Sequence, residues 1–208
     1  MRSTIVTEEK GGLPVLSVAS ADDWGSWLAQ QPTASKGLWL KLAKKGVQAR
    51  SVSRQDAIET ALCHGWIDGQ LDRYDEHWWL VRFTPRSAKS KWSEINRGTA
   101  LRLMEEGRML PAGLAQVEAA RADGRWDAAY APQSTAAVPA DLQVALDASP
   151  AAKHFFLQLN GANRYAILYR VQDAKTAKTR VQRIERFVAM LERGETIHPP
   201  KAGSKASG

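Results

Sequence analysis

Two stretches of strand-like alternation, "WIDGQLDRY" (66–74) and "HWWLVRFTP" (77–85), stand apart by only Asp75-Glu76. Runs of period two this close in sequence predict an antiparallel hairpin with its turn at those two acids. In the second run Trp78, Leu80 and Arg82 face one way, and Trp79, Val81 and Phe83 the other. Pro85 ends it, because proline has no N–H to give a ladder. A further run, "GLWLKLAKK" (37–45), alternates Leu38, Leu40 and Leu42 with Trp39 and Lys41 before Gly46 allows a turn. A small antiparallel sheet is therefore expected in the first half of the chain.

Helical spacing surrounds these strands. Ser20 or Asp22 caps a first helix carrying Trp24, Trp27 and Leu28. Ser53, three residues before Asp56, opens a second with Ile58, Ala61 and Leu62 inward, and Gly65 suits its C-terminus. A third is expected from Lys91 to Glu106 with Ser90 as cap, and a fourth from Pro111 to near Gly124. Residues 1–19 read as irregular, with Gly11-Gly12 and Pro14 as breakers. "YAPQSTAAVP" (130–139) reads as a linker, and everything after it as helical. Ser149-Pro150 is a cap followed by a first-turn proline, and Val181, Ile184, Phe187, Val188 and Leu191 form the cleanest amphipathic stripe. The expectation is an α+β fold: a domain at 20–127, a linker at 128–138, a helical segment at 139–194 and a disordered tail at 195–208.

Composition excludes several classes. Of 208 residues 44% are apolar and 25% charged, as in an ordinary globular protein, and no apolar run reaches the length of a membrane span. The N-terminal stretch lacks a continuous apolar core and carries Glu8-Glu9, so no signal peptide is read and a cytoplasmic home is expected. Cys63 is the single cysteine, which excludes an intrachain disulfide and a cysteine-based zinc site. His64, His77, His154 and His198 show no metal-ligand spacing, and there is no phosphate-binding loop or dinucleotide fingerprint. No metal and no cofactor are expected. The net charge of +7 is concentrated: residues 82–97 hold five cations against one anion, and residues 164–193 hold eight against three.

Several stretches resemble the bacterial YdeI/OmpD-associated, or bacteriocin-protection, family. They are "ALCHGWIDGQ" (61–70), "RFTPR" (82–86), "SKWSEINR" (90–97), "EGRMLPAGLAQVEAARADGRW" (106–126) and the helical stretch from Pro139 to Ile184. Together they span about 36–194. The resemblance implies an α+β domain of the kind grouped with YjbR/CyaY-like and DUF1801 proteins, followed by a helical OmpD-associated segment. It also implies a link to bacteriocin or antimicrobial-peptide tolerance, and supplies no catalytic residue set.

Among the candidate site residues, Cys63 and His64 are neighbours on a helix, so their side chains diverge by about 100° and cannot form a nucleophile pair. Cys63 follows the inward Leu62 and reads as buried. His64 suits the helix C-terminus, with a contributing role in a site as the other reading. Asp68 sits in an aromatic strand beside Trp66 and needs a partner; Arg82 on the next strand is the one expected. The run "RFTPRSAKSKW" places Arg86, Lys89 and Lys91 at a helix start, where backbone amides favour anions. The leading reading is a non-enzymatic tolerance factor that binds an anionic ligand or a partner through Trp66, Asp68, Arg82, Arg86, Lys91 and Trp92. One alternative is nucleic-acid binding through segments 82–97 and 164–193. The other is an enzyme using Asp68 or His64 as general acid or base.

Overall fold

The computed structural model describes residues 5–32 and 34–199. The chain divides into two compact units, Met1–Ala129 and Tyr130–Gly208. The first unit is built on a five-stranded sheet. Its elements run β1 (Ile5–Lys10), β2 (Leu13–Ser17), α1 (Ala21–Leu28), β3 (Leu38–Ala43), α2 (Arg54–Cys63), β4 (Trp66–Arg73), β5 (Trp78–Pro85), α3 (Glu94–Glu105) and α4 (Pro111–Ala122). The strand order is β1-β2-β3-β5-β4. Every neighbouring pair is antiparallel except β2–β3, which is parallel because α1 carries the chain across between them. The α+β class holds, and the sheet is mixed rather than purely antiparallel.

Alternation sorts the strand residues onto two faces. Leu16, Leu38, Leu40, Leu42, Trp66, Val81 and Phe83 form one core with Trp24 and Leu28 of α1 and Ala57 and Ala61 of α2. Removing each large side chain here from water stabilises the fold by roughly 1.5–3 kcal/mol. The Trp24 indole also donates to the Ala57 carbonyl at 3.0 Å, fixing α1 against α2. On the opposite face Leu13, Val15, Trp39 and Leu80 cluster with Tyr74, and among the described residues no helix residue of this unit joins them. Lys41 lies over the Tyr74 ring at 3.8 Å, so part of the cover on this face is a cation on an aromatic. A third cluster joins Leu62 and Cys63 at the end of α2 to Trp92, Leu103 of α3, Val117 of α4 and Trp126.

Three local expectations change. The stretch expected to be irregular at 1–19 holds the β1–β2 hairpin, with its first four residues outside the described ones. Gly11 and Gly12, read as breakers, are the turn itself, at φ 59° and 73°. The third helix begins at Glu94 rather than Lys91, because Ser93, not Ser90, caps it by accepting from the Asn96 amide. Two glycines are required where backbones meet. At Gly65 (φ +75°) an added Cβ would lie 2.8 Å from the Ala112 carbonyl oxygen. At Gly113 it would lie 2.5 Å from the Cys63 carbonyl oxygen, so α4 enters directly against the end of α2.

The second unit is a bundle of α5 (Ala140–Asp147), α6 (Pro150–Gln158), α7 (Gly161–Gln172) and α8 (Ala177–Glu192). Ser149 caps α6 ahead of Pro150, and Asn160 and Thr176 cap the next two helices. Leu142, Leu146, Phe156, Ile167, Val171, Ile184, Phe187 and Leu191 fill its core. The stretch read as a linker contributes too: Ala136 and Val138 pack on this core, and the Ala131 carbonyl accepts from Tyr165. The tail expected to be disordered from 195 is ordered at its start. Ile197 packs on the core, and the His198 backbone exchanges two hydrogen bonds with the Asn163 amide group. Residues 200–208 lie outside the described ones.

Candidate functional site

The hairpin of β4 and β5 is not a regular ladder. Asp68 pairs with Phe83 and Leu71 with Val81, so Gly69 and Gln70 together oppose the single residue Arg82. This is a β-bulge: one extra residue bends the strand and re-aims the side chains beyond it. Its consequence is visible at Leu71, which shares the face of Val81 yet is exposed. On the face away from α1 and α2, Gly69, Gln70, Arg82 and Thr84 line a cavity of about 360 Å³.

The polar groups around this cavity are uncommitted. Among the described residues, the side chains of Gln70, Arg82 and Thr84 make no hydrogen bond or ion pair, and the buried Nε of Arg82 has no acceptor. A guanidinium left without acceptors in a partly buried position is costly, about 1–3 kcal/mol for one unsatisfied buried donor and more when it is charged. The site therefore combines a cation, an amide and a hydroxyl with unused hydrogen-bonding capacity around one space.

The six candidate residues from the sequence do not meet there. Trp66 and Asp68 lie on the helix-covered face, and Trp66 is in the core. Asp68 faces away from Arg82. Its ion-pair partner is Arg54 of α2, at 3.8 Å, which corrects the expected Asp68–Arg82 pair. Arg86, Lys91 and Trp92 form a separate group. The Arg86 guanidinium stacks 3.6 Å above the buried Trp92 ring and donates to the Lys91 carbonyl at 3.3 Å. Trp92 in turn meets Trp126 edge-on at 4.8 Å. Arg86 is thus a buried packing element, and the helix start expected to attract anions lies further on, with Glu94 in its first turn.

His64 caps the end of α2, and burial pushes its imidazole pKa down, favouring the neutral ring. Burial pushes the Cys63 thiol up, away from the thiolate that nucleophilic chemistry needs. The helix-side network with the most charge was not visible in the sequence. Glu59 of α2 accepts from Gln55 at 2.8 Å, from Arg102 of α3 and from Arg108 at 3.0 Å, and Glu106 accepts from the same two arginines. Burial raises the Glu59 carboxyl, but these donors outweigh it and hold the group below the usual carboxylate range. Glu59 sits between inward positions of α2, which is the one signal that could have marked it. Among the described residues, no three His, Cys, Asp or Glu side chains are grouped to hold a metal ion.

The two units match different family models. Residues 135–194 match the family described as Bacteriocin-protection, YdeI or OmpD-Associated. Residues 16–116 match a domain of unknown function, DUF8412. The first range contains all four helices of the second unit, and the second runs from the end of β2 into α4, taking in β4, β5 and the bulge cavity. Of the likeness expected over 36–194, these matches show the YdeI/OmpD-associated part at 135–194 and do not show the YjbR/CyaY-like or DUF1801 part. No curated protein and no solved structure matches the chain.

In the segment matched over 135–194 several arginines are tied to acceptors of the same unit. Arg164 donates to the Leu157 carbonyl at 2.9 Å, Arg170 to Ala166 at 3.0 Å and Arg183 to Arg170. Arg180 grips Asp141 and also donates to the Val171 carbonyl at 3.0 Å, and Arg193 pairs with Glu195. No helix among the described residues is long and apolar enough to cross a membrane.

Proposed function

We propose that this chain is a non-enzymatic stress- or bacteriocin-tolerance factor of the YdeI/OmpD-associated kind, acting by binding an anionic group in the cavity at the β4–β5 bulge. The tolerance role rests on the match over 135–194. The binding role rests on one observation: Arg82 borders a cavity with Gln70 and Thr84, and its buried Nε has no acceptor. The cation supplies attraction, and the amide and hydroxyl supply orientation. In this reading the protein works by capture of its ligand. A cytoplasmic setting belongs to this reading and suits a chain whose single thiol needs no oxidant.

The nucleic-acid alternative has weaker support. Affinity for phosphodiesters scales with cations available to displace counterions, and in segment 164–193 Arg180 and Arg193 are already paired with the carboxylates of Asp141 and Glu195. The enzyme alternative, with Asp68 or His64 as general acid or base, has less support, because Asp68 pairs with Arg54 at 3.8 Å, His64 caps α2, and neither lines the cavity.

The test is a thermal-shift and fluorescence titration with acetate and inorganic phosphate at constant ionic strength. The proposal expects saturable stabilisation by at least one of them that Arg82→Gln abolishes. Equal responses in both proteins, or none in either, would refute it.

A further inference from the structure

We infer that the ligand of the bulge cavity is a small organic monocarboxylate, rather than a phosphate or a phosphodiester. The inference rests on the anion-binding reading and names the class of anion. The first argument is charge. Arg82 is the single ionisable residue among the four that line the cavity. A carboxylate carries one negative charge, and its two oxygens match the planar fork of one guanidinium. A phosphate monoester carries about −1.5 to −2 at neutral pH. Here it would find one cation and two neutral side chains, so the protein would match only part of its charge.

The second argument is the backbone that surrounds the site. Phosphate sites gain from a helix N-terminus, where several free N–H groups and the helix dipole converge on the anion. This cavity is walled by β4 and β5 alone, and strands contribute little net dipole. The nearest helix-start candidate in the sequence, at residues 86–94, belongs to another part of the unit and begins with Ser93 and Glu94. Arg82 is thus the charged group of the lining, and on the same face Asp72, opposite Leu80, is already paired with Lys10.

The third argument is size and donor number. About 360 Å³ lies at the small end of the roughly 300–1,000 Å³ typical of small-molecule sites. The Gln70 amide and Thr84 hydroxyl can each bond a carboxylate oxygen or a polar substituent next to it. Gly69 leaves one wall free of a side chain. The remaining body of the ligand extends outward past this glycine.

Isothermal titration calorimetry of the full chain with acetate, benzoate and inorganic phosphate tests the assignment. It should be run at fixed ionic strength on the native protein, Arg82→Lys, Arg82→Gln and Gln70→Ala. Folding of each variant is verified by tryptophan fluorescence and circular dichroism. The inference expects the carboxylates to bind at least tenfold more tightly than phosphate. It expects Arg82→Lys to lose about tenfold, because a point charge replaces the fork, and Gln70→Ala to lose a smaller factor. Phosphate binding as tight as carboxylate binding, and abolished in Arg82→Gln, would overturn the carboxylate assignment and leave anion binding standing. No binding of any probe, or binding indifferent to Arg82→Gln, would overturn both.

Discussion

Replacing Glu59 by glutamine keeps the shape of the side chain and removes its charge, at the point where α2 and α3 are tied together. The Glu59 side chain is only 10% exposed, whereas Arg102 and Arg108 are 43% and 48% exposed. Breaking a fully buried ion pair costs about 3–5 kcal/mol, because a charge is stranded. Here the stranded cations reach water and keep Glu106, so that figure is too high. Loss of hydrogen bonds to a charged acceptor, roughly 1.5–3 kcal/mol, is the better guide, and we expect about 2 kcal/mol at pH 7. The carboxyl is held below its unfolded value, so its contribution is fully present above that value and is lost as pH falls through the folded one. The cost of Glu59→Gln should therefore be greatest near neutrality and shrink below about pH 4. All eight tryptophans lie at or before Trp126, so intrinsic fluorescence during urea unfolding reports the first unit. A cost below about 0.5 kcal/mol at pH 7, or one unchanged at pH 3, would refute the reasoning.

Three other substitutions probe separate parts of the structure. Gly113→Ala would ordinarily stabilise a helix by about 1 kcal/mol; here the new Cβ meets carbonyl oxygens of Leu62 and Cys63 at 2.6 and 2.5 Å, so a loss of about 1–3 kcal/mol is expected by urea unfolding. Asp68→Asn should change stability by less than about 0.5 kcal/mol, because Arg54 is 3.8 Å away and largely exposed. It should also leave acetate affinity unchanged, since Asp68 faces away from the cavity; a calorimetric loss would contradict the face assignment. Asp141→Asn removes the carboxylate that Arg180 grips, a partly exposed pair expected to contribute less than about 1 kcal/mol. Arg180 holds Asp141 below the usual carboxylate range, so circular dichroism should show that contribution above pH 4 and its loss on acidification.

The sequence made the strands and their faces readable, but not their register. The alternation of Trp78, Leu80 and Arg82 against Trp79, Val81 and Phe83 is the arrangement found in β5. Which residue of β4 lies across from each could not be read, because an inserted bulge shifts every later side chain. An unbroken hairpin turning at Asp75-Glu76 already sets Asp68 across from Phe83, so the expected Asp68–Arg82 pair runs against the alternation itself. Gly69, an isolated glycine inside a strand, is the sequence signal of the bulge. The β1–β2 hairpin was missed because Gly11-Gly12 and Pro14 were weighed as breakers, when a glycine pair between two extended runs is also a hairpin turn. Helix caps were legible where the hydroxyl is followed by a clear first-turn signal, Asp56 after Ser53 and Pro150 after Ser149. Ser90 was read as the cap of the third helix, whereas Ser93, three residues on, accepts from the Asn96 amide and begins it. The Glu59 network joins residues more than 40 positions apart, a relation that helical spacing within α2 does not encode.

The central claim is that Arg82 is held ready for an anion. It is tested most directly by the Arg82 Nε–H resonance in a ¹H–¹⁵N spectrum, assigned by its disappearance in Arg82→Lys and followed through an acetate titration. The account predicts a saturable shift of that resonance, together with the Gln70 side-chain amide, while the Arg54 and Arg102 resonances stay in place. An Arg82 signal that does not move, or one that moves only in step with every exposed arginine, would contradict it.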